Sequence, residues 1–126
     1  MALITVPEAS VIIGCAMRIH TAIGPGALES AYSECLAHEL AKVGLAFRRE
    51  VPLPLKYEAV TLPRAYVADF IVNNAVLVEV KTVEAILPVH TAQLVTYLKL
   101  AGIKKGLLFN FKARRLKDGL RSVVLG

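Results

Sequence analysis

Apolar positions in the first third of the chain recur every three or four residues. Val11, Ile12, Cys15, Ile19 and Ile23 form one stripe, and at 3.6 residues per turn such a stripe lies on one helical face. The spacing predicts a helix from about Val6 to Ala22, with Thr5 and Glu8 in the form of a capping box at its start. "GPG" at Gly24 to Gly26 ends it, because proline cannot continue a helix and glycine tolerates positive φ. A second stripe, made by Leu28, Ala31, Tyr32, Cys35, Leu36, Leu40 and Val43, predicts a second helix that Gly44 stops.

From Leu45 the period changes to that of strands. "LAFRREVPLPLKYE" and "RAYVADFIV" are rich in β-formers, and prolines at 52, 54 and 63 suit an edge strand or bends. "AVLVEVKTV" is the most strand-like segment and is expected at the centre of the sheet. Pro88 begins a third helix that runs to about Ala101 and stops at Gly102. "KGLLFNF" and "LRSVVL" then predict two last strands joined by the basic turn "KARRLKDG". The order is α, α, β, β, β, α, β, β, without repeat, linker or low-complexity segment.

Composition narrows the class. A chain of 126 residues, 56% hydrophobic and 20% charged, is expected to form one domain over residues 1–126 around one core. No apolar run reaches the roughly 18 residues of a membrane span, and the N-terminus lacks the form of a signal peptide, so the expected location is the cytoplasm, away from membranes. A mean hydropathy of +0.57 is high for a small globular protein and points to surface that meets a partner. Cys15 and Cys35 are far apart in helical patterns and are read as buried free thiols. The net charge of +5 is concentrated near the C-terminus, where Lys104, Lys105, Lys112, Arg114, Arg115, Lys117 and Arg121 face Asp118 alone. Such a patch favours polyanions through counterion release, although it also serves simply to solvate a hairpin tip.

The stretch Val67 to Lys81 sets Asp69, Glu79 and Lys81 among apolar residues. Side chains alternate along a strand, so Glu79 and Lys81 share a side. Asp69 joins them only in one register. A two-residue turn at Asn73-Asn74 would set Asp69 opposite Val78 and facing away; a loop over Asn73 to Ala75, or a bulge, sets it opposite Glu79. The second register is expected. Two close carboxylates repel, and burying them without compensation costs several kcal/mol. Lys81 supplies part of the needed positive charge, whereas a divalent ion on oxygen ligands explains both acids. The competing reading of the same residues is a cross-strand salt bridge.

These residues resemble a known family. Asp69 followed by Glu79-Val80-Lys81 is similar to the D…(D/E)xK signature of the restriction-endonuclease-like, or PD-(D/E)xK, nuclease superfamily. "GALESAY", Gly26 to Tyr32, resembles the GxxExxY motif that names one small subfamily of it. "IHTAIGPGALESAY", "VEVKTVEAILPVHTAQLVTYLKL" and "KGLLFNF" extend the likeness over nearly the whole chain; Ala68 stands where many members have the proline before the aspartate. The resemblance implies an α/β fold with an αβββαβ core, a mixed sheet flanked by helices, here with an extra N-terminal helix. It also implies hydrolysis of phosphodiester bonds with Mg²⁺, or Mn²⁺ in its place. Asp69 and Glu79 would be metal ligands and Lys81 would stand beside the attacking water. Glu29 corresponds to the acid that related nucleases supply from a helix before the sheet, as a ligand directly or through water. Gln93 and Tyr97, at i and i+4, resemble the QxxxY pair of RecB-type exonuclease domains; His90 is a weaker candidate, and His20 and Tyr32 are read as structural.

The function expected is that of a metal-dependent nuclease acting on nucleic acid, with DNA the expected polymer. Lys112, Arg114, Arg115 and Lys117 would grip the phosphate backbone with weak sequence preference. Small size and apolar composition are compatible with a homodimer in which each subunit cuts one strand. The alternative is a catalytically inactive nucleic-acid-binding or assembly module on the same fold.

Overall fold

Val76 to Val80 are buried at every position, as only a strand covered on both faces can be. In the computed structural model, which describes residues 6–126, this segment is the middle strand of a five-stranded sheet. The elements are α1 (Pro7–Ile23), α2 (Glu29–Lys42), β1 (Phe47–Tyr57), β2 (Val60–Val72), β3 (Val76–Lys81), α3 (Pro88–Ala101), β4 (Lys105–Asn110) and β5 (Leu120–Val124), with a 3₁₀ turn at Leu116–Gly119. The strands lie in chain order, antiparallel except for β3 and β4, which run parallel with α3 as their crossover. This is a restriction-endonuclease-like α/β fold: α2 to β4 form the αβββαβ core, and α1 and β5 are added to it.

Alternation along the strands divides the core in two. Phe70, Val72, Val76, Val78, Val80, Leu107 and Phe109 pack under α1 and α2. Val51, Leu53, Ile71, Leu77 and Leu108 pack under α3. Glu79 and Lys81 share the parity of Leu77 and therefore point to the α3 side. Pro52 and Pro54 lie in the outermost strand, and Pro63 lies where the β1–β2 register shifts between Leu53 and Leu55; a missing N–H costs least at such places.

Several local expectations are refined. The N-cap of α1 is Val6, with no side-chain cap and Pro7 at the first helical position. Glu8 accepts a 2.6 Å hydrogen bond from Asn73 Nδ2, and Thr5 lies outside the described residues. Strand β2 begins at Val60, before the expected Arg64, because Thr61 and Leu62 pair with Lys56 and Leu55 across the hairpin. Cys15 is buried, but Cys35 is only half-buried, at the edge of the α2 stripe; both are free.

Tyr32 explains the turn before α2. Its ring is fully buried and stacks on Phe111 with centroids 4.4 Å apart. Its hydroxyl donates to Gly24 O and accepts from Ala27 N at 3.0 Å, so one side chain closes the "GPG" turn and places Glu29 at the start of α2. Tyr32→Phe keeps the stacking and removes both bonds. It should destabilise the fold by about 1–2 kcal/mol, read as a lower urea midpoint at unchanged slope.

Candidate active site

The β2–β3 ladder pairs Val72 with Val76, Ile71 with Leu77 and Phe70 with Val78. The loop is therefore Asn73 to Ala75, and the next position sets Asp69 opposite Glu79. Asn73 and Asn74 both take left-handed backbone, at φ 53 and 51, which asparagine accepts more readily than most residues. Beyond Phe70 the carboxylates replace the backbone ladder. Asp69 N donates to Glu79 Oε2 at 2.7 Å, and Val80 N donates to Asp69 Oδ2 at 2.8 Å. Each acid caps the other's strand, and both carboxyl groups are drawn into one gap.

The electrostatics of that gap are unfavourable for two negative charges. Glu79 is 5% exposed; burial, and then the Asp69 charge, push its carboxyl up to about 8, while the Asp69 N–H and Lys81 act the other way. Asp69 is also raised, by burial first, with Glu29 and Glu50 adding to it. Lys81 does not neutralise the pair by direct contact. Its Nζ is hydrogen-bonded to Gln93 Oε1 at 3.3 Å, and the ion pairs among the described residues involve Arg18, Lys42, Arg49 and Lys112. A cross-strand salt bridge is therefore not what holds the acids together.

Other side chains ring the pair. Glu29 is exposed and faces a polar hollow of about 250 Å³ that Ser30, Ser33, Glu50 and Asp69 also line. Among the described residues no three His, Cys, Asp or Glu side chains converge into a ligand set, so Glu29 acts on the pair across the hollow. The donor set suits a hard cation: two carboxylates with a third nearby, and no sulfur or imidazole. On the α3 side Gln93 touches Lys81, and the Tyr97 hydroxyl is raised by burial and then by the Glu79 and Asp69 charges. His90 caps α3 through Leu87 N at 2.9 Å. His20 binds Ala113 O at 2.8 Å. Both have structural contacts.

The basic segment follows β4 at the end of the sheet where β3 delivers Lys81. Lys81 is paired with Asn110, and Phe111 N donates to Lys81 O at 2.9 Å. Arg114, Arg115 and Lys117 are exposed there; Lys112 is bound to Glu84 at 2.6 Å.

Three residues near the site escaped the sequence reading. Asn110, 3% exposed, accepts from Val83 N at 3.0 Å and donates to Val83 O at 2.8 Å, fixing the chain just after Lys81. Its signal was present: one amide between two phenylalanines in "KGLLFNF". Asn110→Ala should cost about 2–3 kcal/mol by leaving these backbone groups unpaired, seen in a urea melt. Glu50 has φ 49 inside β1, between the pairs Arg49–Phe70 and Val51–Ala68. Arg49 turns to Glu34 of α2 and Phe70 to the α1–α2 core, whereas Val51 and Ala68 pack under α3. The ribbon thus turns over at Glu50 and Asp69, and nothing in local composition announces it. Tyr66 packs on Tyr97, with ring centroids 5.2 Å apart.

No curated protein and no solved structure matches the chain. Comparison with protein-family models matches residues 7–123, from the first turn of α1 into β5, to the PD-(D/E)XK nuclease superfamily. That span contains the converging Asp69 and Glu79 and the adjacent Lys81. The chain belongs to the PD-(D/E)XK nuclease superfamily, whose membership suggests nuclease activity and whose nucleases generally use divalent metal ions.

Proposed function

We propose that the protein is a metal-dependent nuclease that hydrolyses phosphodiester bonds of nucleic acid, with DNA the expected polymer and little preference for sequence. The observation that carries this reading is the convergence of the buried Glu79 carboxylate and the half-buried Asp69 carboxylate from neighbouring strands, neither of them ion-paired among the described residues, beside a lysine on the same side of the sheet as Glu79. Asp69 and Glu79 would hold Mg²⁺, or Mn²⁺ in its place, with Glu29 reaching it directly or through water. When bound, the cation offsets the carboxylate repulsion, draws in a phosphate oxygen and makes water a better nucleophile.

The chain's own groups do the rest. Lys81, oriented by Gln93, donates a hydrogen bond to the attacking water or to the phosphoryl oxygen that gains charge. Tyr97 closes the α3 side. Water adds to phosphorus as the P–O bond to the leaving sugar breaks, and the sugar oxygen takes up a proton. Arg114, Arg115 and Lys117, with Lys112 once released from Glu84, would contact phosphates and carry no sequence information. Alanine at Arg114, Arg115 and Lys117 should weaken binding to all sequences alike and flatten the dependence of log K on log salt by about one for each phosphate left without its cation. A homodimer would let one complex cut both strands.

The deciding experiment is cleavage of single-stranded, duplex and branched DNA, and of RNA, with Mg²⁺ or Mn²⁺, by the native chain, Asp69→Ala and Lys81→Ala. Cleavage that persists in both variants removes the catalytic assignment. A second reading, a binding module without turnover, is favoured by Glu29 standing apart from the Asp69–Glu79 pair. It predicts salt-dependent binding that neither variant weakens, and no cleavage.

A further inference from the structure

Two hollows of opposite character flank the carboxylates. The one on the α2 side is acidic, as described above. The other, about 290 Å³, lies on the α3 side and is lined by Tyr66, Val89, Ala92, Gln93, Thr96 and Tyr97, with no acidic side chain among them. Tyr66 is 37% exposed and its ring rests on that of Tyr97, which is 6% exposed. An aromatic face is therefore offered to solvent on a rigid backing. Val89, 63% exposed, and Ala92 add apolar wall, and Gln93 and Thr96 add an amide and a hydroxyl to the lining, the hydroxyl donating to Ala92 O at 3.2 Å.

Gln93 belongs to both places: its side chain lines this hollow while its Oε1 receives Lys81 Nζ at 3.3 Å. Whatever fills the hollow therefore sits one side chain from the lysine at the reacting phosphate. On the reading of the chain as a nuclease, on which this inference rests, the group next to that phosphate is a nucleoside. An aromatic face with apolar wall and an amide in the lining suits a base, stacked on one side and hydrogen-bonded at its edge. The α2-side hollow sets Glu29, Glu34, Glu50 and Asp69 against Arg49 alone, which is itself paired with Glu34 at 2.9 Å, and would repel phosphates unless a further cation intervened; this one would not.

We infer that the Tyr66–Tyr97 hollow receives an unpaired nucleobase adjoining the scissile phosphate, so that the substrate is single-stranded nucleic acid or a frayed or flapped end. In a duplex the base faces are already stacked and the edges paired, and neither reaches Tyr66 without extrusion, which costs a few kcal/mol. Stacking on one aromatic side chain is worth roughly 1–3 kcal/mol per base, or about tenfold in affinity toward the lower end of that range.

Fluorescence anisotropy in EDTA, with labelled single-stranded DNA and RNA of one sequence and with the matching duplexes, tests this. The native chain should bind single strands more tightly than duplexes. Tyr66→Ala should weaken single-strand binding about tenfold and duplex binding hardly at all, while Tyr66→Phe keeps native affinity. A set of oligonucleotides with one abasic position moved along the strand should contain a member that native protein binds about tenfold more weakly than the intact strand. This arm needs no variant to fold. Unchanged single-strand binding in Tyr66→Ala, equal losses for strand and duplex, or no weak abasic position would overturn the inference. So would a dimer that Tyr66→Ala dissolves without altering strand binding, which would assign the hollow to a second copy of the chain. The DNA and RNA arms show which polymer the pocket prefers. Cleavage that depends on Asp69 but not on Tyr66 would defeat the base pocket alone; Tyr66-dependent binding without Asp69-dependent cleavage would defeat the nuclease reading alone.

Discussion

Asp69→Asn should abolish Mg²⁺-dependent cleavage and at the same time make the metal-free chain more stable. The two effects have one cause. Asparagine keeps an oxygen to accept from Val80 N, the 2.8 Å bond that holds β3 at this point, but removes the charge that opposes ionisation of Glu79 in the same gap. Loss of a ligand that helps stabilise developing charge is worth several kcal/mol of barrier, or about a thousandfold in rate. Relief of the repulsion should add about 1–3 kcal/mol of stability in EDTA, a rise of several degrees in Tm for a chain of this size. Adding Mg²⁺ should raise the Tm of the native chain by mass action and do little for the variant. Cleavage that survives, or a variant that melts below the native chain in EDTA, would count against a cation-binding pair.

The second large effect is a stability profile with an unusual slope. Most carboxylates stabilise a fold more as they ionise; Glu79 does the reverse. Its carboxyl is pushed from 4.5 up to about 8, by burial first and then by Asp69, so the folded chain holds a proton that the unfolded chain has released. The contribution is fully present below pH 4.5 and is lost as pH rises toward 8, above which the folded form ionises too. The loss is on the order of a few kcal/mol, and Asp69, shifted the same way, adds to it. Urea melts in EDTA from pH 5 to 9 should therefore show falling stability. Glu79→Gln, which still accepts from Asp69 N, should flatten the curve and exceed native stability at the alkaline end. Mg²⁺ should reverse the slope for the native chain, because binding then requires the ionised pair. A metal-free native curve that rises over this range would show that the two acids are not desolvated together.

Much of this site was legible in advance, because the forces that shape it are local or follow a period. Pro88 and Gly102 bracket α3 as a helix start and a left-handed stop, and Gly102 has φ 68. The three-residue loop at Asn73 to Ala75 followed from asking where two acids and a lysine among apolar residues can go, and the ladder has that register. Glu29 was harder. Its place on the helix was readable, but its exposure on the rim of a hollow, apart from the other acids, depends on how α2 lies over the sheet.

What the chain alone determined was its alternation: which residues face α1 and α2, which face α3, and so the placing of Glu79 and Lys81 together on one side. Such patterns are set by periods of two and 3.6 residues and need no knowledge of distant partners. Only the folded arrangement decided that the ribbon turns over at Glu50 and Asp69, that Asn110 secures Val83, and that Gln93 stands between Lys81 and the Tyr66–Tyr97 hollow. Each joins residues far apart in sequence, through a backbone state or a contact that no single segment favours by itself. They exist because packing the two faces of the sheet makes them cheaper than the alternatives.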